Sequence, residues 1–364
     1  MDGCFSFNLH GKGYVGGGSN GSHFYQYDTA ANTWNLKGNA PGNKIRGFAY
    51  SFVVNGKGYA GGGDTTGSST ICADMWMYND TTNTWIQKSS FPGGIRDAGF
   101  SFVINDTAYA GGGYDGTNVR DDFYKYNPFT DTWTPLAPLS MGTVGFPAIF
   151  VINNKAYMAT GLIGPTESTG LWEYNPASDT WTAKADFPGA ARETAFGFTI
   201  NDYGYVGGGM SNYDTVFTDV WRYNTATDVW TSVQSFPSNY PAWSSAFTVG
   251  NTAYVGTGSR FSGSSLVGTD SFKRYRGSPN TTGISKINSS HEFEIYPNPA
   301  NDFITVKGNI EPNSIISVND ITGREVKIFN GATKGLFIGD LQKGLYLVKC
   351  VTGSGTYTVK FIRE

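Results

Sequence analysis

Along the first 276 residues, apolar positions come in short aromatic-rich runs such as GFAYSFVV (47–54) and GFSFVI (99–104). Asn, Asp, Gly and Pro separate them, as turns between strands require. No stretch carries a convincing 3.6-residue period, so helix is expected to be nearly absent. The runs repeat. GKGYVGGG (11–18), GKGYAGGG (56–63), DTAYAGGG (106–113), NKAYMATG (154–161), DYGYVGGG (202–209) and NTAYVGTG (251–258) occupy one slot. An aromatic-x-Tyr pair follows each, as in MWMYN and VWRYN, and in the first five units an Asx-x-Trp follows that. Successive units are about 45 to 51 residues apart. Each reads as four strands: A apolar, B ending in the glycines, C with the aromatic-x-Tyr, D starting at Asx-x-Trp. Glycines at the end of strand B imply a sharp turn or a close approach to a neighbouring backbone, which a Cβ resists.

Four-strand units of this period with a double-Gly signature resemble kelch repeats, a resemblance that covers residues 1–276. It implies an all-β chain: a six-bladed kelch-like β-propeller whose sixth blade lacks one strand, followed by a small Ig-like β-sandwich. The last unit, DSFKRYRGSPN, stops after strand C, and the first strand A starts at Met1. Propellers commonly pair an N-terminal strand with the last blade. The expectation is therefore an N-terminally truncated chain, with a signal peptide and one strand upstream of Met1; an open three-stranded sixth blade is the alternative.

Residues 277–290, GSPNTTGISKINSS, have linker composition. About seven short β-like runs follow, bounded by turn residues, which suggests a small antiparallel sandwich. Over 291–364 the chain is similar to the C-terminal sorting domain of the type IX secretion system of the Bacteroidetes. The likeness rests on Tyr296-Pro297-Asn298-Pro299, on DITGREV with Gly323, on LQKGLYLVKC with Gly344 and Tyr346, and on a basic terminal strand. It implies a secreted or cell-surface protein handled by the type IX translocon. Export needs a signal peptide, and MDGCFSFNLHGKGYVGGG is not one.

Composition narrows the partners. Charged residues make up 15% of the 364, and the net charge is −3 with no Lys/Arg run, so nucleic acid is not an expected ligand. No apolar run is long enough to span a bilayer. Cys4, Cys72 and Cys350 form neither a disulfide framework nor a metal spacing. His10, His23 and His291 do not supply the ligand set of the kelch-type copper oxidases, so no metal or cofactor is expected, and the protein is expected to act as a monomer.

Candidate chemistry lies in the register of strand A. Arg46, Arg96 and Arg192 share one slot, with Asp97 and Glu193 directly after two of them. Strand A is innermost in a propeller, so these arginines are expected to ring one mouth of the channel, where guanidiniums can fork onto carboxylates of acidic sugars or peptides. Alternatively, a residue repeated in register is scaffold. Eight of the nine tryptophans fill repeated slots; Trp243 does not, and falls just after the arginine slot, with Phe146 in the equivalent place. An aromatic there can stack on a sugar ring or plug the channel. Asp74, Asp122, Asp219 and Asp270 precede strand C, a regularity that suggests turn capping rather than calcium binding. GKGYVG and GGSNG fit nucleotide and nucleophile motifs only formally, because no helix follows. The leading expectation is a binding protein for a glycan or protein ligand; the alternative is a sugar-acting enzyme such as a sialate-epimerase-like isomerase, with Glu193 as the best acid/base candidate.

Overall fold

The strands form where the aromatic runs predict them. The computed structural model describes all residues except 1–2, 19–20, 66–69, 213, 237–241, 263–264, 270–271, 277–293, 308–314, 321–323, 331–334 and 353–354. The expected linker therefore lies outside the described residues. The chain divides into two compact units, residues 1–277 and 278–364. One 3-10 turn, Pro41–Asn43, is the sole helical element among the described residues.

The first unit is a six-bladed propeller of antiparallel sheets. Blade two is typical: strands A (Tyr50–Val54), B (Lys57–Gly61), C (Met75–Asn79) and D (Thr84–Lys88) pair in that order. Blades one, three, four and five repeat it, with strands A at Phe5–Leu9, Phe100–Ile104, Ala148–Ile152 and Phe196–Ile200. Blade six has A (Ala242–Val249), a long B (Thr252–Ser262) and C (Phe272–Arg276); Ser265–Gly268 pairs with the extension of B, and no outer fourth strand is seen among the described residues. Strands A alternate buried and half-buried positions, sending Phe5 and Phe7, or Phe100 and Phe102, between blades and the smaller residues toward the axis.

The repeated signatures each do one local job. The strand-C tyrosine hydroxyls donate to the Asx that opens the D-strand turn: Tyr78 to Asn83 at 2.7 Å, Tyr126 to Asp131 at 2.7 Å and Tyr223 to Asp228 at 2.6 Å. Those Asx residues have φ of +57°, +56° and +55°, a conformation that Asn and Asp tolerate better than most side chains. The following tryptophan crosses to the preceding blade: Trp85 Nε1 donates to Asn39 O and Trp230 Nε1 to Ala185 O, at 3.2 and 2.8 Å. The glycines allow the next blade to approach. Gly112 has φ +59°, and a Cβ there would sit 2.6 Å from Val144 O of blade four.

Blades six and one meet through side chains. Ser6 Oγ donates to Ala246 O, Asn8 Nδ2 to Thr248 O and Ser245 Oγ to Cys4 O, at 2.9, 2.7 and 2.7 Å. Outside these, Tyr27 packs on Tyr254 and Trp34 on Phe272, with centroids 5.2 and 5.0 Å apart.

The second unit pairs a three-stranded sheet (Glu294–Tyr296, Phe303–Lys307, Leu336–Phe337) with a four-stranded one ordered Glu325–Asn330, Ile315–Asp320, Gly344–Thr352, Gly355–Arg363. Ile304, Val306, Ile316, Val318, Val348 and Phe361 form its core. Tyr346 is buried and stacks on Phe361, its hydroxyl donating to Gln342 O at 2.8 Å.

Candidate functional site

The channel mouth is built from the residue two positions before strand A in blades one to five, and from the second residue of strand A in blade six. Gly3, Phe48, Ala98, Phe146, Thr194 and Trp243 supply one residue per blade, with φ of +62°, +55°, +54°, +51°, +61° and +55°. Backbone hydrogen bonds join five of the six successive pairs around this ring of positions. Phe48 N donates to Gly3 O, Ala98 N to Phe48 O, Phe146 N to Ala98 O and Thr194 N to Phe146 O, at 2.8 to 3.1 Å, and Gly3 N donates to Trp243 O at 3.1 Å. The left-handed conformation disfavours a side chain by about 1–2 kcal/mol per residue, so the ring holds five non-glycine residues in a strained state. Such strain gathers at sites whose geometry the surroundings over-determine.

The ring alternates. Blades two, four and six present Phe48, Phe146 and Trp243; blades one, three and five present Gly3, Ala98 and Thr194. Phe48 meets Phe146 edge-on with centroids 5.3 Å apart, and lies 6.3 Å from Trp243. Alternate blades of a six-bladed ring are about 120° apart, so rings from three of them touch only by converging on the axis. The aromatics thus converge at this end of the channel and line a cavity of about 200 Å³ together with Cys4, Pro147, Thr194 and Ser244 among others. A larger cavity of about 510 Å³ continues along the strand-A residues, including Ser6, Ser51, Ser101 and Thr199. Ser51 Oγ donates to Ser6 O at 3.0 Å and Ser101 Oγ to Ser51 O at 2.9 Å, so these hydroxyls join neighbouring blades. Phe48 was not singled out by sequence; its glycine neighbour made it look like ordinary strand A.

The arginines do not face the channel, which corrects the expectation that they ring its mouth. Arg46, Arg96 and Arg192 are 0%, 2% and 1% exposed and line neither cavity. Each guanidinium turns outward to the aspartate before strand C of its own blade. Arg46 forks onto Asp74 at 2.8 and 3.0 Å, Arg192 onto Asp219 at 2.6 and 3.1 Å, and Arg96 makes one bond to Asp122 at 2.6 Å. Backbone carbonyls take further donors: Pro41 and Gly62 from Arg46, Gly93 from Arg96, Ala190 and Gly208 from Arg192, while the Nε of Arg46 and of Arg96 is buried without a partner. Arg192 also lies over Phe217 and Phe187, 4.0 and 4.8 Å from their centroids. With both terminal nitrogens engaged inside the blade, these buried guanidiniums have no fork left for a ligand. The carbonyls of Arg46, Arg96 and Arg192 accept from Gly18, Gly63 and Gly161 of the preceding blade, so each arginine links two blades.

The same pairs replace the turn-capping role expected of Asp74, Asp122 and Asp219; Asp270 lies outside the described residues. Burial opposes ionisation of Asp74 and Asp219, but hydrogen bonds from arginine and from Trp76 or Trp221 outweigh it and lower both pKa values. Blade three has Tyr124 where those tryptophans stand, Asp122 Oδ1 has no partner, and there burial wins and raises the pKa.

Asp97 and Glu193 are placed differently from their arginine neighbours. Glu193 is 1% exposed and Asp97 half-buried, and each has an oxygen without a hydrogen-bond partner. Burial, reinforced by Glu167, pushes the Glu193 carboxyl up to about 7; burial and Asp64 push Asp97 up to about 6.

In the second unit, Tyr296, Pro297, Asn298 and Pro299 are exposed. Asn298 acts as a backbone mimic on the last strand: its Nδ2 donates to Lys360 O at 3.1 Å and its Oδ1 accepts from Ile362 N at 3.0 Å. Gly344 opens the strand that leads to Tyr346. Gly323 lies outside the described residues.

Residues 294–364 match the family model described as secretion system C-terminal sorting domain, and residues 101–140 match the Kelch motif. No curated protein matches the chain. Among solved structures it is similar to one titled "Structure of YjhT", at a TM-score of 0.65 and 17% identity over 76% of this chain and 97% of that one. At that identity the likeness is one of fold.

Proposed function

Taking the chain as a kelch-type propeller that carries a type IX sorting domain, we propose that it is an exported binding protein, secreted or held at the cell surface, whose propeller recognises a glycan or protein ligand at the mouth formed by Phe48, Phe146 and Trp243. A sorting domain implies handling by the secretion machinery and indicates export. Among the described residues no helix is long and apolar enough to cross a membrane. The observation that carries the reading is the mouth itself: aromatic walls, a small cavity and the buried, unpartnered hydroxyl of Thr194, a make-up that suits a ligand site. Scaffold residues here repeat from blade to blade, whereas the mouth differs from one blade to the next. A glycan array and a displayed-peptide library probed with the full chain test this. Ligands that bind the wild type and are weakened by Trp243→Ala support it; ligands indifferent to that change contradict it.

The sugar-acting enzyme is a second reading. It is favoured by Glu193, whose carboxyl at about 7 lies in the range of a working general acid or base. Anomer interconversion followed by NMR tests it, and a rate at background removes it.

A further inference from the structure

Charge at the mouth is the reverse of what the arginine slot suggests. Arg46, Arg96 and Arg192 are each bound to an aspartate, Arg120 is tied to Asp115, Lys44 Nζ contacts Cys72 Sγ, and Arg260 is not free. The acids beside the mouth have no such cover. Asp97 and Glu193 stand one residue outside the mouth positions Ala98 and Thr194. Each feels the charge of a second acid from the preceding blade, Asp64 for Asp97 and Glu167 for Glu193. Asp64 Oδ1, Asp97 Oδ1 and Glu193 Oε2 lack hydrogen-bond partners. Two carboxyls therefore stand at blade junctions next to the mouth without a counter-ion; they line neither cavity, and burial favours their neutral form. A separate observation points the same way. Thr194 is 7% exposed, its hydroxyl has no partner, and it lines the 200 Å³ cavity beside the three aromatic rings.

On the reading of the mouth as the ligand site, we propose that the group it takes is an organic cation, an alkylammonium or a guanidinium. Aromatic faces attract a cation through the ring quadrupole. A hydroxyl and carboxylates are acceptors for N–H groups that can only donate. A cation in the opening would favour the ionised form of these two carboxyls and be attracted by it through the low-dielectric wall, without direct contact. An acidic sugar would meet the same field with the wrong sign. The cavity has room for one cationic head and its stem rather than for an extended chain. Such a head is carried by an Arg or Lys side chain or by an amino sugar.

Calorimetric titration of the full chain distinguishes these cases. The probes are N-acetylarginine amide, N-acetyllysine amide, a fully deacetylated glucosamine trimer and the neutral N-acetylglucosamine trimer. A cationic probe is expected to bind at least about tenfold more tightly than the neutral trimer, to weaken with salt, and to lose about tenfold or more in the Asp97→Asn/Glu193→Gln double variant. Binding of the amides alone assigns a protein side chain, and binding of the glucosamine trimer alone an amino sugar. These substitutions replace two carboxyls without a counter-ion by amides of the same shape, so the variant is expected to fold, which tryptophan fluorescence checks. No binding of any cationic probe at millimolar concentration, or binding unchanged in the double variant, overturns the inference. A neutral ligand that Trp243→Ala abolishes and the double variant does not would remove the cation and leave the mouth. Ligands that no mouth variant weakens would remove both.

Discussion

Cutting one arginine–aspartate pair from either side should have unequal consequences. In blade five Arg192 is 1% exposed, whereas the Asp219 side chain is 34% exposed. Asp219→Ala leaves a buried guanidinium with only the Ala190 and Gly208 carbonyls. Stranding a buried charge costs about 3–5 kcal/mol. Arg192→Met leaves a carboxylate that water reaches and that Trp221 Nε1 still serves at 2.8 Å. The methionine also fills apolar space against Phe187 and Phe217. That loss is expected to be smaller, about 1–3 kcal/mol. In the double variant no charge is stranded, so it should be more stable than Asp219→Ala alone, a non-additivity expected of direct partners. All nine tryptophans precede residue 277, so tryptophan fluorescence in urea reports the propeller alone. If Asp219→Ala is no more damaging than Arg192→Met, or if the two losses simply add, the pair does not act as a buried rivet.

The pH dependence of Glu193 has a definite sign. Its folded-state pKa is raised from 4.5 to about 7, so wild-type stability falls as pH rises through that window, by at most roughly 3 kcal/mol and less where water screens the carboxyl. Glu193→Gln should therefore gain in melting temperature over wild type at pH 8 and not at pH 4.5, and an equal difference at both would contradict the buried, cation-free placement. Gly112→Ala, with φ +59° and Val144 O 2.6 Å from the added Cβ, should cost at least about 2 kcal/mol in the same urea assay; a neutral effect would mean that blades three and four are not in close contact. Removing residues 294–364 should abolish export in a host with the type IX pathway, and continued release into the medium would deny the tail its sorting role.

Much of the fold was legible because each repeat carries its own local chemistry. Asx-x-Trp marks a turn whose left-handed residue must also accept a tyrosine hydroxyl, and paired glycines mark where the next blade's carbonyl arrives. The tail's seven β-like runs correspond to the seven strands seen among its described residues. The site was harder to read, since exposure is not written in a repeat. Arg46, Arg96 and Arg192 read either as ligands for anions or, in preference, as scaffold; Asp74, Asp122 and Asp219 accompany them in blades two, three and five, while blades one and four have neither partner and carry His23 or Gly170 in the aspartate's place. That co-occurrence was the available signal of pairing. A second signal was the dipeptide series Asp-Gly, Gly-Phe, Asp-Ala, Gly-Phe, Glu-Thr, Ala-Trp at 2–3, 47–48, 97–98, 145–146, 193–194 and 242–243, which alternates acid-small with small-aromatic. It becomes meaningful only when the six positions are known to share one ring.

The most direct test of the account compares two variants against any ligand recovered from the array or library. Trp243→Ala alters the mouth, and Arg96→Met alters the scaffold behind it. The account predicts that affinity falls by about tenfold or more in Trp243→Ala and stays within about twofold in a folded Arg96→Met. The opposite pattern, with affinity lost on removing Arg96 and kept on removing Trp243, would place recognition at the arginines and contradict the mouth as the site.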